Sequence, residues 1–361
     1  MDPINLFDFE ARAKQALPGH IWDFIEAGAF DEITTARNRR ALDAVALRPR
    51  YLVDVRGLDT STTVLGHKIS LPVMLAPAGG HQSAHPDGEL ATARAAGKAG
   101  TMMFLSTSSN YSMEEVSAAA GGPLVFQLYH RGHDISEMLV HRAEEAGYTA
   151  ICLTVDTPVP GPKERDIRNR YVRPPETQLG NFYGQKSVLD RMSGTDETTD
   201  WNPPYTDPLT WPELEWLRSL TSLPLIIKGI RTGEDARLCV EHGVDGILAS
   251  NHGGRQMDGT LSAIETLPEI VEAVRGRAEI YMDGGIRRGA DVVRALALGA
   301  KAVLIGRPLF WGLAVDGERG VHQVLELLRK ELERTMGYCG VTSVDGITRG
   351  LVSLPGEHGW V

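Results

Sequence analysis

Short apolar runs separated by longer amphipathic stretches recur along most of the chain. Eight such runs begin at Val73, Met102, Leu124, Ala150, Leu225, Gly246, Ile280 and Ala302. Most are followed by apolar and charged residues at helical spacing, as in GELATARAAGKAG from Gly88. Parallel strands joined by right-handed helical crossovers close into a barrel when there are eight of them. The pattern therefore predicts an α/β protein with a (β/α)8 TIM barrel.

Two segments fall outside this rhythm. Residues 1–70 precede the first run and contain a helical pattern, LFDFEARAKQALPGHIWDFIEAGAF, which we expect to form an N-terminal cap on the barrel. Between the fourth and fifth runs, residues 172–210 are polar and rich in turn residues. That composition predicts a long lid loop at the barrel mouth. We expect one domain, residues 1–361, comprising cap, barrel and lid.

Composition narrows the class of protein. The 361 residues are 42% apolar and 23% charged, which is ordinary for a globular protein and excludes a disordered or fibrous one. The net charge of −10 disfavours duplex nucleic acid and anionic membranes as partners. The start of the chain lacks the features of a signal peptide, and no apolar run approaches the length of a membrane span. We therefore expect a cytoplasmic protein.

The three cysteines, at positions 152, 239 and 339, stand at no ligand spacing. Three thiols cannot all pair, and the spacing matches no zinc motif. We expect buried thiols, with neither a disulfide framework nor a metal site.

Chemistry in such barrels is carried at the C-terminal ends of the strands. The sixth run ends in SNHGGRQ, which places His252 and Arg255 around two glycines. Lys228 closes the buried fifth run, where a cation needs an anionic partner. Asp156 follows the fourth run and Tyr129 the third. Together these ends supply a base, an acid, a phenol and two cations for a polar ligand.

Glycine and arginine follow the last two runs, in DGGIRRG from Asp283 and GRP from Gly306. The loops after strands seven and eight are where barrels often bind phosphate, through exposed amides, a helix N-terminus and an arginine. We therefore expect a local phosphate site there.

Four of these motifs carry a resemblance. SNHGGRQMDG, DGGIRRGADVVRALALGA, IGRP and LTVDTP are similar to those of the FMN-dependent α-hydroxy acid oxidase and dehydrogenase family, which is glycolate oxidase-like. The similarity extends from LPGHIWDFIEAGA to the final helices. It implies FMN as cofactor, a 2-hydroxy acid as substrate, oxygen or another electron acceptor, and a homotetramer.

The resemblance also implies roles for single residues. His252 would be the base that takes a proton from the α-carbon or α-hydroxyl, and Asp156 would orient it. Tyr129 would bind the substrate oxygen, and Arg255 would hold a carboxylate. Lys228 would lie at the flavin N1 and O2 edge, where reduction adds negative charge. The other implied cofactor contacts are Pro77, Ala78, Gly79, Ser106, Gln127, Thr154, Ser250, Asp283, Gly284, Gly285, Arg287, Gly306 and Arg307.

At four substrate positions the chain departs from the family pattern. Phe24 replaces a tyrosine that donates to the substrate carboxylate, and Lys163 replaces an arginine, which keeps the charge but loses the bidentate fork. Arg165 is an alternative partner for the carboxylate. Gly79 and Ser108 replace larger residues, alanine and tryptophan, and we expect a wider pocket from both changes. The departures favour a 2-hydroxy acid bulkier than glycolate, aromatic or with a modified carboxyl.

We therefore predict an FMN-dependent oxidase that converts a 2-hydroxy acid to the 2-oxo product and passes the electrons to oxygen. A dehydrogenase and a decarboxylating monooxygenase share the same half-reaction and stay open as alternatives. A non-redox FMN isomerase is a further alternative, which His252 with Arg255 in SNHGGRQ disfavours. A barrel that only binds or scaffolds is another, and purified protein that stays colourless after FMN addition would support it.

Overall fold

The computed structural model describes residues 2–171, 179–182 and 209–357. Within them, eight parallel strands close a barrel in which neighbours along the chain pair and the last strand pairs with the first. We number these barrel strands β1 to β8: Val73–Leu75, Met103–Ser106, Leu124–Leu128, Ala150–Thr154, Leu225–Ile230, Gly246–Ala249, Glu279–Met282 and Ala302–Ile305. All eight predicted runs supply a barrel strand, so the predicted TIM barrel is confirmed.

Helices surround the barrel. Those that follow its strands are Gly88–Ala99, Met113–Ala119, His133–Glu145, Glu164–Asn169, Trp211–Leu220, Gly233–Glu241, Ala263–Val274, Gly289–Ala297 and Arg307–Cys339. Several begin at a Ser or Thr whose hydroxyl meets a glutamate three residues on, as Ser112 does with Glu115. This capping box satisfies amide groups that the first turn of a helix leaves without partners. Local sequence thus sets where these helices begin.

The N-terminal cap covers both ends of the barrel. Its helices are Leu6–Ala16, Gly19–Glu26 and Ile33–Ala44, and the chain between them reaches the mouth, where Ala29 N donates to Gly254 O at 2.8 Å. A hairpin, Thr62–Val64 and His67–Ile69, packs Val64 and Ile69 into the barrel interior from the other end. The helical pattern predicts the first part, but the hairpin was not predicted.

Part of the predicted lid is anchored to the segment that follows strand β2. Asn181 is buried, donates to Thr107 O at 3.1 Å and accepts the N–H of Met113 at 2.9 Å. Phe182 beside it is fully buried. The rest of the lid prediction, residues 172–178 and 183–208, lies outside the described residues, so the lid stays a prediction.

Cys152, Cys239 and Cys339 are buried thiols, as predicted. Among the helices of the described ranges, none combines the length and the apolar composition that crossing a bilayer requires.

Candidate active site

His252 follows strand β6 in a tight turn, His252–Gly254. Its φ of 57° lies in the left-handed region, and Gly253 and Gly254 continue there. A side chain rarely adopts this backbone unless its surroundings hold it there. Here Ser250 Oγ accepts the N–H of His252 at 3.0 Å. The predicted residue Ser250 thus supports the turn that presents the imidazole.

A pair of amides holds the same turn from the N-terminal cap. Asn251 Nδ2 donates to Asn38 Oδ1 at 2.7 Å, and Asn38 Nδ2 donates to Asn251 Oδ1 at 3.1 Å. Both side chains are buried. Sequence reasoning missed Asn38, because nothing in a single sequence pairs two residues 213 positions apart.

At the mouth of the barrel, the His252 imidazole lies between the side chains of Asp156 and Tyr129 and contacts both. Asp156 Oδ1 is 2.9 Å from His252 Nδ1, and Tyr129 Oη is 3.4 Å from His252 Nε2. A carboxylate at Nδ1 favours the tautomer with its proton on that atom. Nε2 is then left as the basic atom, facing the Tyr129 hydroxyl.

The pKa shifts of the pair agree with this arrangement. Although burial opposes it, the charges of Lys228 and His252 hold the pKa of Asp156 down at about 2, so it is a carboxylate at neutral pH. Burial, followed by the charge of Lys228, lowers the pKa of His252, while Asp156 acts in the opposite direction. A neutral imidazole is the form that can take up a proton.

Lys228 is 2% exposed and has the anionic partner that the sequence called for. Its Nζ lies 3.8 Å from Asp156 Oδ2 and 3.3 Å from His252 Nδ1. One boundary was wrong, since strand β5 does not end at Lys228 but continues to Ile230 with an irregular register.

Gly229 lies at that irregularity and contacts Asp156, a feature that sequence reasoning missed. Its φ is 111°, and a Cβ there would lie 2.6 Å from the Cβ of Asp156. Glycine lets Asp156 approach the strand closely. The signal was present in the sequence, because a glycine inside a buried strand marks a bulge or a close contact.

Three predicted residues form a polar row across neighbouring strands. Ser106 Oγ donates to Gln127 Oε1 at 3.1 Å, and Gln127 Nε2 donates to Thr154 Oγ1 at 2.9 Å. All three are buried at the C-terminal ends of β2, β3 and β4. The row offers hydrogen-bonding groups to one edge of a flat ligand.

The predicted phosphate loops come together after β7 and β8. Gly284 and Gly285 have φ values of 93° and 85°. Arg287 is partly buried, and its guanidinium lies over the ring of Trp311, 4.5 Å from the centroid. Arg307 opens the last helix, where Gly306 is the N-cap residue, and it donates to Gly253 O at 3.0 Å and Ala27 O at 3.2 Å. Burial lowers the pKa of Arg287 to about 10, so it is still a cation at neutral pH.

On the substrate side, Phe24 packs between an aromatic ring and a cation. It stacks on Tyr171 with ring centroids 4.6 Å apart, and the Arg255 guanidinium lies 5.7 Å from its centroid. Arg255 Nη1 donates to Ala27 O at 2.8 Å. Burial and the nearby Arg307 lower the pKa of Arg255 to about 10. Phe24 therefore packs against Arg255 but has no hydroxyl group that could donate to a substrate carboxylate.

Lys163 and Arg165 occupy different environments. Lys163 is 5% exposed, whereas the Arg165 guanidinium pairs with Glu32 and lies 3.6 Å from Asp23. Asp166, fully buried, has charge interactions with Arg255, Lys163 and Arg165 alike. What distinguishes the two residues is that Arg165 is engaged by the carboxylates of Glu32 and Asp23, whereas Lys163 is buried.

The expected widening at Gly79 needs a correction. A Cβ at Gly79 would lie 2.9 Å from both the Cβ and the carbonyl oxygen of Ser108. The missing methyl group therefore does not open space toward a ligand, because Ser108 already occupies that direction. Gly79 and Ser108 are in contact, and the size of the pocket depends on the two loops together.

The model of the family FMN-dependent dehydrogenase matches residues 13–354 of this chain. The match covers most of the cap, the whole barrel and every candidate site residue. The chain belongs to the FMN-dependent dehydrogenase family.

Individual relatives of this family agree over nearly the full length. Glycolate oxidase 1 of Oryza sativa subsp. indica is 48% identical over 347 residues, 96% of this chain and 94% of the relative. L-lactate oxidase of Nostoc sp. (strain PCC 7120) is 47% identical over 359 residues, 98% of each chain. The solved structure of mandelate oxidase with benzoyl-formic acid is similar with a TM-score of 0.89, at 42% identity over 98% of both chains. The predicted family, barrel fold, FMN cofactor and oxidoreductase class are confirmed, and the relatives are 2-hydroxy acid oxidases, as the resemblance implied.

The residues present fit FMN. Asp283 is 7% exposed, and its Oδ1 has no hydrogen-bond partner in the described part of the chain, so this oxygen can accept from a ribityl hydroxyl. Such an orphaned buried acceptor is costly unless a ligand satisfies it. Burial also raises the pKa of Asp283. Lys228 supplies a buried cation, and Arg287 and Arg307 supply cations for a phosphate.

Proposed function

We propose that this FMN-dependent dehydrogenase family member oxidises a 2-hydroxy acid bulkier than glycolate to the 2-oxo acid and passes the electrons to oxygen. The observation that carries the proposal is the line of Asp156, His252 and Tyr129 beside Lys228, with separations of 2.9 and 3.4 Å. A neutral base, a partly buried carboxylate and a phenol are groups suited to removing a proton from a hydroxy acid. The names of the relatives, all 2-hydroxy acid oxidases, support it.

His252 is the base in this proposal. Its Nε2 takes the proton from the α-carbon or the α-hydroxyl, and Asp156 stabilises the imidazolium that results. FMN, when bound, accepts the hydride equivalent that the substrate loses. Tyr129 donates to the substrate oxygen that faces Nε2.

In this proposal the substrate carboxylate is held by two cations, Arg255 and Lys163. Arg255 keeps its charge at neutral pH and is oriented by the carbonyl of Ala27 and the ring of Phe24. Lys163, rather than Arg165, contributes the second positive charge. Lysine cannot form the bidentate hydrogen bonds that arginine makes with a carboxylate, and Phe24 has no hydroxyl. These residues therefore bind a carboxylate more weakly than two arginines and a tyrosine would.

Several groups hold the cofactor. Lys228 would stabilise the edge of the ring that gains negative charge, and Asp283 would accept a hydrogen bond from the ribityl chain. The remaining contacts are assigned to the ring, through Pro77, Ala78, Gly79, Ser106, Gln127, Thr154 and Ser250, and to the phosphate, through Gly284, Gly285, Arg287, Gly306 and Arg307. The polar row of Ser106, Gln127 and Thr154 supports the first group.

A bulky, aromatic substrate is favoured by Ser108 and Phe24. Ser108 brings little volume to the pocket, and Phe24 with Tyr171 offers a stacked aromatic wall. The similarity to mandelate oxidase, whose solved structure contains benzoyl-formic acid, supports this choice. A substrate with an esterified or amidated carboxyl is the second candidate, favoured by the weaker clamp.

We further infer a homotetramer in the cytoplasm. The exposed apolar side chains Tyr51, Leu52 and Tyr338, which are 78%, 107% and 73% accessible, support association. Their segments meet where Arg50 N donates to Tyr338 O at 3.2 Å. Light scattering of the purified protein tests the assembly, and a monomer at micromolar concentration would contradict it.

The deciding experiment is anaerobic reduction of the FMN-loaded enzyme by 2-hydroxy acids of increasing size, followed by readmission of oxygen. Mandelate should bleach the flavin faster than glycolate, and oxygen should restore the colour with release of hydrogen peroxide. Reoxidation by a quinone but not by oxygen would point to a dehydrogenase, and carbon dioxide release to a monooxygenase. His252→Ala should retain FMN and slow the reduction at least about a hundredfold. An unchanged reduction rate would remove His252 from the mechanism.

A further inference from the structure

Glu89 lies in the second position of helix Gly88–Ala99 and is fully buried. Its Oε1 accepts the N–H of Asn110 at 3.0 Å and that of His81 at 3.4 Å. His81 belongs to the loop after β1 and Asn110 to the loop after β2. One carboxyl group therefore ties together two loops at the mouth of the barrel.

A second link runs parallel to the first. Gln82 N donates to Asn110 Oδ1 at 2.9 Å. His81 Nδ1 lies 3.1 Å from Thr92 Oγ1, on the same helix as Glu89. The loops, the helix and this buried polar cluster of His81, Glu89, Thr92 and Asn110 form one connected unit.

The other ends of the same loops carry Gly79 and Ser108, two of the substrate positions predicted from the sequence. Gly79 is two residues before His81, and Ser108 is two residues before Asn110. The two touch so closely that a Cβ at Gly79 would lie 2.9 Å from the Cβ of Ser108. A change in the distance between the loops at Glu89 is therefore transmitted to the contact between Gly79 and Ser108.

We propose that Glu89 is a positioning residue that sets the spacing of Gly79 and Ser108 and thereby the size of 2-hydroxy acid that the site accepts. This inference rests on the proposed function and deepens it. Glu89 does not touch the substrate space itself and acts through the two loops that it joins.

The charge state of Glu89 gives the spacing a dependence on pH. Burial raises the pKa of Glu89 to about 7, against the backbone hydrogen bonds that favour the carboxylate. His81 is the titratable side chain packed beside it, and burial lowers its pKa to about 3, so it stays neutral. The carboxylate, a stronger acceptor than the neutral acid, is therefore favoured above neutral pH. We expect the hydrogen bonds between Glu89 and the two loops to become stronger as pH rises through about 7.

The test compares Glu89→Gln with Glu115→Gln. Glu115 is a matched control, because it accepts from Ser112 at the start of its own helix and joins no loops. In the FMN-loaded enzymes, the ratio of kcat/KM for mandelate to that for lactate is measured between pH 5.5 and 8.5. We expect Glu89→Gln to raise the ratio by about threefold or more through the KM for lactate, and to remove its variation with pH. Glu115→Gln should match the wild type.

Two outcomes would overturn the inference. A ratio that follows the wild type at every pH, whether or not the thermal stability falls, would make Glu89 purely structural. A wild-type ratio that is independent of pH would show that titration of Glu89 does not affect the choice of substrate. If Glu89→Gln fails to fold, Glu89→Asp, which is one methylene shorter but still ionisable, tests the effect of loop spacing on the ratio at a fixed pH. A wild type that oxidises neither acid would instead contradict the proposed function, so the two failures are distinct.

Discussion

Asp156 packs against Gly229 so closely that a Cβ at position 229 would lie 2.6 Å from the Asp156 Cβ. Since Asp156 Oδ1 is 2.9 Å from His252 Nδ1, the backbone of strand β5 sets where the His252 imidazole is held. We therefore propose that Gly229, which has no side chain to take part in proton transfer, controls the orientation of the proposed base.

Gly229→Ala should lower kcat by about tenfold or more, because the methyl group displaces Asp156 and the φ of 111° is strained for alanine. FMN should remain bound. Gly147→Ala is the control, since Gly147 also has a positive φ, 81°, but has open space around its Cβ direction. Steady-state rates and thermal unfolding distinguish the two. Equal losses of kcat in both variants would mean that backbone strain, not the displaced Asp156, is responsible.

Lys228→Met should lower the midpoint potential of the bound FMN, because the cation that favours added negative charge is gone. It should also move the acid limb of kcat/KM to higher pH. Lys228 lowers the pKa of His252, so its removal raises that pKa and the neutral base is lost at a higher pH. Lys228→Arg should keep both properties near the wild type. Potentiometry with no change in midpoint would exclude Lys228 from the ring edge.

The double variant Phe24→Tyr, Lys163→Arg should improve kcat/KM for lactate and glycolate by about tenfold or more. Each added charge-assisted hydrogen bond contributes about 1.5–3 kcal/mol when it is shielded from water. Arg165→Gln should leave the KM for both acids unchanged, because Arg165 is paired with Glu32 and Asp23. The reverse pattern, no gain in the double variant and a raised KM in Arg165→Gln, would assign the carboxylate to Arg165.

Gly79→Ala was expected from the sequence to fill space beside the flavin and to reject bulky acids. The contact with Ser108 changes that expectation, since the new methyl group must push the loop after β2 outward. We now expect a loss of thermal stability rather than a simple narrowing of the pocket. Gly79→Ala combined with Ser108→Gly should recover part of that stability, since the Ser108 Cβ contact is then removed. No recovery would mean that the Ser108 carbonyl alone is responsible.

The burial of Glu89 makes a separate prediction for stability. Between pH 4.5 and about 7 the folded state retains a proton that the unfolded state has lost, so the free energy of unfolding falls as pH rises across that window. The raised pKa corresponds to about 3 kcal/mol in total. Denaturant unfolding of the wild type and of Glu89→Gln at saturating FMN should show a difference that depends on pH. Parallel curves would contradict a raised pKa in the folded state.

The sequence by itself was enough for the barrel and for most of the site. The alternation of short apolar runs with amphipathic stretches depends on residues close together along the chain. Eight apolar runs therefore predicted eight strands. The C-terminal ends of parallel strands share one face, so the sequence alone predicts that Tyr129, Asp156, Lys228 and His252 lie close together. The family motifs added the cofactor.

Only the tertiary structure decided how these residues are supported. Asn38 meets Asn251 across 213 residues, Glu89 joins two loops, and Arg165 turns to Glu32 while Lys163 is buried. It also showed that the direction left open by Gly79 is occupied by Ser108. Such contacts arise when segments that are distant in the chain pack as rigid bodies with side chains interlocked. Periodicity along the chain carries no record of those distances, which explains why the fold was predictable and the supporting contacts were not.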